Sequence, residues 1–223
     1  MEQGIFNMVN FREIIPVVLM SLYVSLSSTL IASALGMFLG IPCALLEFKL
    51  KRTIIQITDT LMSVPPVLMG LLVYLLLSRK GPLGDLELLF TPTAMIIAQT
   101  LLIFPIVFGL TVSIISKNGK NIKNTCTTLG AHRLETFFII IKENKIQLLS
   151  VITAGFGRAI SEVGAVMIVG GNIKGFTRVM TTYIALETGK GNFNEAIIIG
   201  GILLIISFTI NALLHFFQCN EKS

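Results

Sequence analysis

From Ile14 to Leu46 the chain carries no charged residue, and four further apolar runs follow, each set off by a short polar stretch. A straight helix over the first run would be about 50 Å long against a hydrocarbon core of roughly 30 Å, so part of it must tilt, bend or lie at the interface. An interior proline removes a helical hydrogen bond, so Pro16 and Pro42 are read as its limits. The span proper is then Leu22–Leu45, rich in Ser, Ala and Gly, residues that permit close helix packing. The second run, Thr53–Ser78, contains Asp59 and the adjacent pair Pro65 and Pro66. Two prolines in a span leave carbonyls without intrahelical donors, which is tolerated only where protein or water satisfies them. The pair reads either as a break lining a pathway or as a structural kink.

The third run is Leu89–Ser116, with Pro92 near its start and Pro105 inside. The fourth, Ile146–Ile173, holds Arg158 and Glu162 and closes on Gly170, Gly171 and Asn172, a helix-end signal. The last is Ala196–Phe217, followed by the tail Gln218–Ser223. Arg79–Leu88 reads as a turn from its Gly and Pro, and Lys174–Glu195 as a long polar loop. Met1–Glu13 is short and polar and lacks the basic start and small-residue cleavage site of a secretory signal, so it is expected to be retained. The pattern predicts an all-α integral membrane protein of about five transmembrane helices, one domain over residues 1–223.

The longest polar interruption, Lys117–Lys145, orients these spans. It carries Lys117, Lys120, Lys123, Arg133, Lys142 and Lys145, and basic residues gather on the cytoplasmic side of membrane proteins. With this loop inside, the N-terminus lies outside and the C-terminus inside, and Lys49, Lys51 and Arg52 also fall on the inner side. Leu134, Phe137, Phe138 and Ile141 follow the spacing of a helix with one apolar stripe, predicting a short amphipathic helix at the inner surface. On pattern alone this helix is either a working contact or a connector resting on lipid headgroups.

Composition agrees with the spans. Hydrophobic residues make up 53% of the chain and charged ones 13%, with a mean hydropathy of +0.84, whereas soluble domains carry about 25% charged residues. The net charge of +5 does not point to nucleic acid, because the basic residues are spread over short loops rather than gathered on one face. Cys43, Cys126 and Cys219 lack motif spacing and are read as free thiols, and His132 and His215 have no partners at metal-ligand spacing. No GxxxxGK[ST], HExxH or GxSxG is present, so neither P-loop nucleotide binding nor those hydrolytic chemistries are expected, and no cofactor is implied. Energy from ATP would have to come from another subunit.

Two sets of residues carry candidate chemistry. Arg158 and Glu162 are four apart, on one helical face and able to pair, and intramembrane ionisable residues face a bundle interior or a water-filled cavity. They line a pathway or simply neutralise each other and fasten two helices. Lys174, Thr177, Arg178, Thr181 and Thr182 of the outer loop could bind an anion or a partner protein, or form a solvated hydrophilic loop.

At the central loop the sequence resembles the permease subunits of binding-protein-dependent ABC importers, whose cytoplasmic signature has Glu-Ala-Ala, three residues, Gly, nine residues, then Ile-x-Leu-Pro. Gly130 takes the glycine position within Leu129-Gly130-Ala131, and Ile140 the isoleucine position; Asn124, Thr125 and Cys126 replace Glu-Ala-Ala, and Lys142 and Glu143 replace Leu-Pro. The stretches Ser63–Gly84 and Gly157–Gly191 are similar to the tungstate-type branch of the molybdate and tungstate importer group. The resemblance implies the type I importer permease fold and a multi-pass cell-membrane protein, working as a homodimer by alternating access. It also implies an extracytoplasmic substrate-binding protein and a separate ATP-binding subunit. Within 117–145, Thr127, Thr128, Leu129, Gly130, Ala131, Leu134, Phe137 and Phe138 would form the coupling contact to that subunit. Pro65, Pro66, Arg158 and Glu162 would lie along the translocation pathway, and Lys174 and Arg178 would meet the binding protein. The rival expectations are a permease for molybdate or sulfate, a gradient-driven transporter or channel acting alone, and a membrane scaffold without transport.

Overall fold

A chain this apolar has to satisfy its backbone within its own segments, and it does so with helices. The computed structural model describes residues 11–220, with nine α-helices and no strand among them: α1 Phe11–Leu45, α2 Lys51–Met62, α3 Pro66–Leu77, α4 Pro92–Thr128, α5 Arg133–Glu143, α6 Lys145–Ile160, α7 Gly164–Gly170, α8 Met180–Gly189 and α9 Phe193–Asn220. Helices α1, α4 and α9 are each long and apolar enough to cross a membrane. The pairs α2–α3, bent by 102°, and α6–α7, bent by 58°, bring the candidate spans to five. The expectations for residues 1–10 and for the end of the tail, 221–223, lie outside the described residues, as do the side chains of His215 and Cys219.

The centre is α1 laid along α4. A Cβ added to Gly36 would fall 2.7 Å from Val107 Cγ1, and one on Gly40 3.1 Å from Thr111 Cβ, so the two backbones approach as closely as small residues allow. Toward the other end Ser28 Oγ donates to Gln99 Oε1 (2.8 Å) and Gln99 Nε2 donates to the Ala159 carbonyl (3.0 Å). This buried ladder ties α1, α4 and α6 at one level, where hydrogen bonds have no water to compete with them.

Several boundaries differ from the sequence reading. Helix α1 runs through both Pro16 and Pro42 rather than stopping at them. Each proline sits near an end, where it forfeits one bond, and the close packing between holds the helix continuous. Its last carbonyls are covered by lysines: Lys51 Nζ donates to Ala44 and Leu46, and Lys123 Nζ to Leu45. Cations at a helix C-terminus also suit its dipole. The polar stretch after Ser116 is not a loop, since α4 continues to Thr128. Gly119 and Cys126 are buried on its inner side, so the apolar period survives where the composition turns polar. The fourth span is broken at 161–163, α8 occupies part of the expected loop Lys174–Glu195, and α9 begins at Phe193.

Helices α3 and α7 cross at Gly70, where an added Cβ would lie 2.6 Å from the Ala165 Cα, a contact with backbone that cannot swing away. Gly70→Leu is therefore expected to destabilise the protein by about 1–3 kcal/mol through overpacking. Gly201→Ala in α9 meets nothing within 4 Å and should instead stabilise by roughly 0.5–1 kcal/mol. Thermal unfolding of the purified chain in detergent reads both, and the opposite signs are the check.

Candidate functional site at two broken helices

The first break follows from the missing N–H groups of Pro65 and Pro66. Helix α2 ends in a tight turn, with Ser63 N–H on the Thr60 carbonyl and Val64 N–H on Leu61. Pro65 is extended (φ −59°, ψ 133°) and Pro66 opens α3, a position where the absent N–H is not needed. The Pro65 carbonyl accepts from Leu68 and Met69, so the backbone is accounted for without a continuous helix.

The second break is closed by a side chain. Glu162 is 3% exposed; its Oε1 accepts the Ala165 N–H (3.1 Å), opening α7, and its Oε2 lies 3.3 Å from Arg158 Nη1. The Glu162 carbonyl accepts the Thr181 hydroxyl (2.8 Å). Arg158 and Glu162 thus pair, but across the end of α6 rather than on one unbroken helix as their spacing suggested, because the chain turns at Ser161. The two breaks meet: an added Cβ on Gly164 would lie 2.6 Å from Val67 Cγ2 and 3.6 Å from Glu162 Oε1. The first turn of α3 therefore rests on the first turn of α7, and Pro65, Pro66, Arg158 and Glu162 belong to one region. Arg158 is 36% exposed, so its guanidinium is open on the side away from Glu162. Ser161, bonded to the Arg158 carbonyl, is exposed, and so are Ser63 at the first break and Gln56, Asp59 and Thr60 on α2. That polar face of α2 was not singled out from sequence; its signal was the three-to-four spacing of polar residues in a run otherwise scored by hydropathy.

The segment after Gly171 is a folded anchor rather than a solvated loop. Thr177, Thr181 and Thr182 are buried. Asn172, in the left-handed region at φ 51°, accepts from Thr182 Oγ1 (3.0 Å) and Arg178 Nε (3.2 Å) on Oδ1, and from Arg178 Nη2 (3.3 Å) on its carbonyl. The Arg178 guanidinium also lies 5.3 Å over the Tyr183 ring, a cation–π contact. Lys174 and Arg178 share the lining of a cavity of about 220 Å³ with Pro16, Val17, Met20 and Tyr183. At the end of α8 a second buried carboxylate, Glu187, is held by Lys190 (2.7 Å) and Asn192 (2.8 Å), which keep its pKa below the usual carboxylate value.

At the basic end α4 stops in a left-handed cap. Gly130 has φ +78°, its N–H bonds the Thr127 carbonyl (3.1 Å), and Ala131 N–H bonds Cys126 (2.9 Å), the two bonds of a Schellman motif. Glu135 Oε2 accepts the His132 N–H (2.8 Å) and starts α5. The inward face of α5 is Thr136 and Ile140, with Phe137 edge-on to Phe38. The predicted stripe is split: Phe137 and Ile141 turn inward, whereas Leu134 (74%) and Phe138 (67%) are exposed, as is Leu129 (80%) just before α5. The stripe was drawn from spacing alone, and packing of Phe137, Ile140 and Ile141 against α1 and α4 buries Thr136 and leaves Leu134 outside. Thr127 and Thr128 are exposed as well.

The profile of the family described as binding-protein-dependent transport system inner membrane component matches residues 32–219. The chain is 48% identical to the tungstate uptake system permease protein TupB of Peptoclostridium acidaminophilum over 92% of this chain and 90% of that one. It is 43% identical to the protein of the same name from Campylobacter jejuni, over 76% and 71% of the two chains. It is 36% identical to a probable anion ABC transporter permease protein of Haloferax volcanii, over 92% and 90%.

Because Glu162 serves both the α7 backbone and Arg158, Glu162→Leu is expected to cost about 1.5–3 kcal/mol, the range for hydrogen bonds to charged groups. Glu162→Gln, whose amide oxygen can still accept the Ala165 N–H, should cost less. The shift in thermal midpoint of the purified chain measures both. The depressed Glu187 pKa stabilises the fold above the ordinary carboxylate value near 4.3, and that contribution is lost as pH falls through the lower folded value. Wild type should therefore lose more thermal stability than Glu187→Gln between pH 6 and pH 3.

Proposed function

Because the chain belongs to the family of inner membrane components of binding-protein-dependent transport systems, we propose that it is the permease subunit of an ATP-driven importer that moves tungstate from an external binding protein to the cytoplasm. The observation that carries the substrate is the likeness, along nearly the whole chain, to a permease named for tungstate uptake. ATP hydrolysis belongs to a separate subunit, and the whole of 1–223 acts as one membrane domain, with 117–145 as its cytoplasmic coupling element.

In this reading Leu129, Leu134 and Phe138 seat on the ATP-binding subunit. Three large apolar side chains exposed outside the spans are costly in water and are explained by a partner. Phe137 backs them from inside, Gly130 sets their angle, and Thr127, Thr128 and Ala131 frame them. The pathway runs between two copies of the chain, past Pro65, Pro66, Arg158 and Glu162. A half-open guanidinium beside a broken helix suits a tetrahedral oxyanion in transit. Lys174 and Arg178 present the opposite end to the binding protein.

Labelled tungstate uptake is measured in proteoliposomes holding this chain, its ATP-binding subunit and its binding protein. Uptake requiring ATP and both partners, with sulfate competing only in large excess, is the expected outcome. Uptake by this chain alone would make it a gradient-driven transporter or channel, and preferential loss to molybdate or sulfate would move the substrate. Gly130→Val forces a β-branched residue into a left-handed conformation with no steric neighbour to blame. It should abolish ATP-coupled uptake while membrane insertion is unchanged; normal uptake would remove the coupling role.

A further inference from the structure

The link between α1 and α2 carries charges that the fold does not use. Lys51 is spent on the Ala44 and Leu46 carbonyls. Glu47 is held by Lys120 (2.8 Å) and Lys51 (3.7 Å), and these cations keep its carboxyl below its usual pKa, so it stays ionised and paired. Lys49 and Arg52 are exposed, and among the described residues neither has a hydrogen bond or an ion pair. Both line an open cleft of about 360 Å³ with Phe48, Ile55, Gln56 and the paired Glu47 and Lys51. The cleft is therefore positive, with two cations still to be matched.

Its surroundings are apolar in one direction only. Leu50, Ile54, Ile57 and Leu61 form an exposed stripe at i, i+4, i+7 and i+11, starting at the cleft and running along α2. The stripe ends one residue before Met62, whose methyl group fills the space beside Gly109 in the apolar part of α4. It thus descends from a polar link to the level of the spans. A soluble partner could cover the cleft but could not follow the stripe; a molecule with an anionic head and long apolar tails could occupy both. Basic residues at the membrane surface beside apolar side chains are the pattern of interfacial lipid contact, and the cytoplasmic leaflet is the anionic one.

We propose that this cleft is a binding site for an anionic phospholipid of the cytoplasmic leaflet, its phosphate between Lys49 and Arg52 and an acyl chain along Leu50, Ile54 and Ile57. The site would hold the bent α2 at the interface. This rests on the inward placement of the basic loops and not on the identity of the transported anion.

The test is native mass spectrometry of the full chain released from micelles containing phosphatidylglycerol and phosphatidylcholine of equal chain length. Wild type is expected to retain phosphatidylglycerol preferentially. K49Q/R52Q should weaken that retention on the order of 30-fold, at the usual contribution of each basic residue near an anionic surface, and abolish the preference, while K49R/R52K keeps it. Leu50→Gln should lower retention of long-chain phosphatidylglycerol and leave a short-chain form unaffected, which keeps the proposal testable if the double variant folds poorly. Equal retention of the two lipids by wild type, or an undiminished preference in K49Q/R52Q, overturns it.

Discussion

Inside a bilayer no water is available to a broken helix, and the rest of this fold is arranged around two breaks that must be satisfied from within. The proline break needs little, since Pro65 and Pro66 have no N–H to satisfy. The break at 161–163 has ordinary residues, and Glu162 supplies what the backbone lacks: an acceptor for Ala165, a counter-charge for Arg158, and a carbonyl that is itself held by Thr181. An acceptor that is buried and ionised is strong only if its charge is matched, so the pairing with Arg158 and the opening of α7 are one arrangement rather than two.

That arrangement is linked to both ends of the molecule. Toward the segment after Gly171, the Thr181 hydroxyl joins Glu162 to the start of α8, and Thr182 joins α8 to Asn172 and so to Arg178. Toward the basic end, α6 follows α5 across the single residue Asn144 and ends at the break. A 16-residue helix is about 24 Å long and stiff, so in the proposed function no flexible loop would separate α5 from Arg158. The ladder from Ser28 through Gln99 to Ala159 ties α6 to α1 and α4 one residue beyond Arg158, so under the proposed coupling these three helices would move together.

Hydropathy made the five spans legible, and Gly171 and the proline pair made two of the interruptions visible. What it could not show were continuities and breaks decided by packing. Helix α4 continues through Lys117–Thr128 because Gly119 and Cys126 keep its buried period, which a count of lysines hides. The turn at Ser161 has no proline to announce it, because there the break is closed by a carboxylate that accepts from the backbone three residues on, a role its spacing from Arg158 does not reveal. The outer threonines looked hydrophilic, yet Thr177 and Thr182 are buried with their hydroxyls bonded to the backbone: Thr177 donates to the Gly170 carbonyl and accepts the Ile173 N–H, and Thr182 accepts the Val179 N–H. On α5 the spacing located the helix, but its rotation came from Phe38 and the end of α1, so Leu134 and Phe138 face outward. Pairing of Arg158 with Glu162 was readable from their separation; its place across a helix end was not.

If the anion passes Arg158, as proposed, its pairing with Glu162 also bears on transport. A lone guanidinium in a low-dielectric passage would bind a doubly charged oxyanion tightly and release it slowly, and conduction requires sites that bind favourably enough to enter but weakly enough to leave. With Glu162 on one side, the anion on that pathway would meet a cation already paired, and its binding would compete with the pair. A permease built this way gives up discrimination in exchange for passage. Selectivity must then be exercised before the anion reaches the membrane, by the protein that delivers it, which fits a family defined by dependence on a binding protein. On the proposed pathway the carboxylate that closes the broken helix would thus serve two ends with one charge: it accepts the Ala165 N–H where the helix breaks, and it would keep the Arg158 guanidinium from becoming a trap.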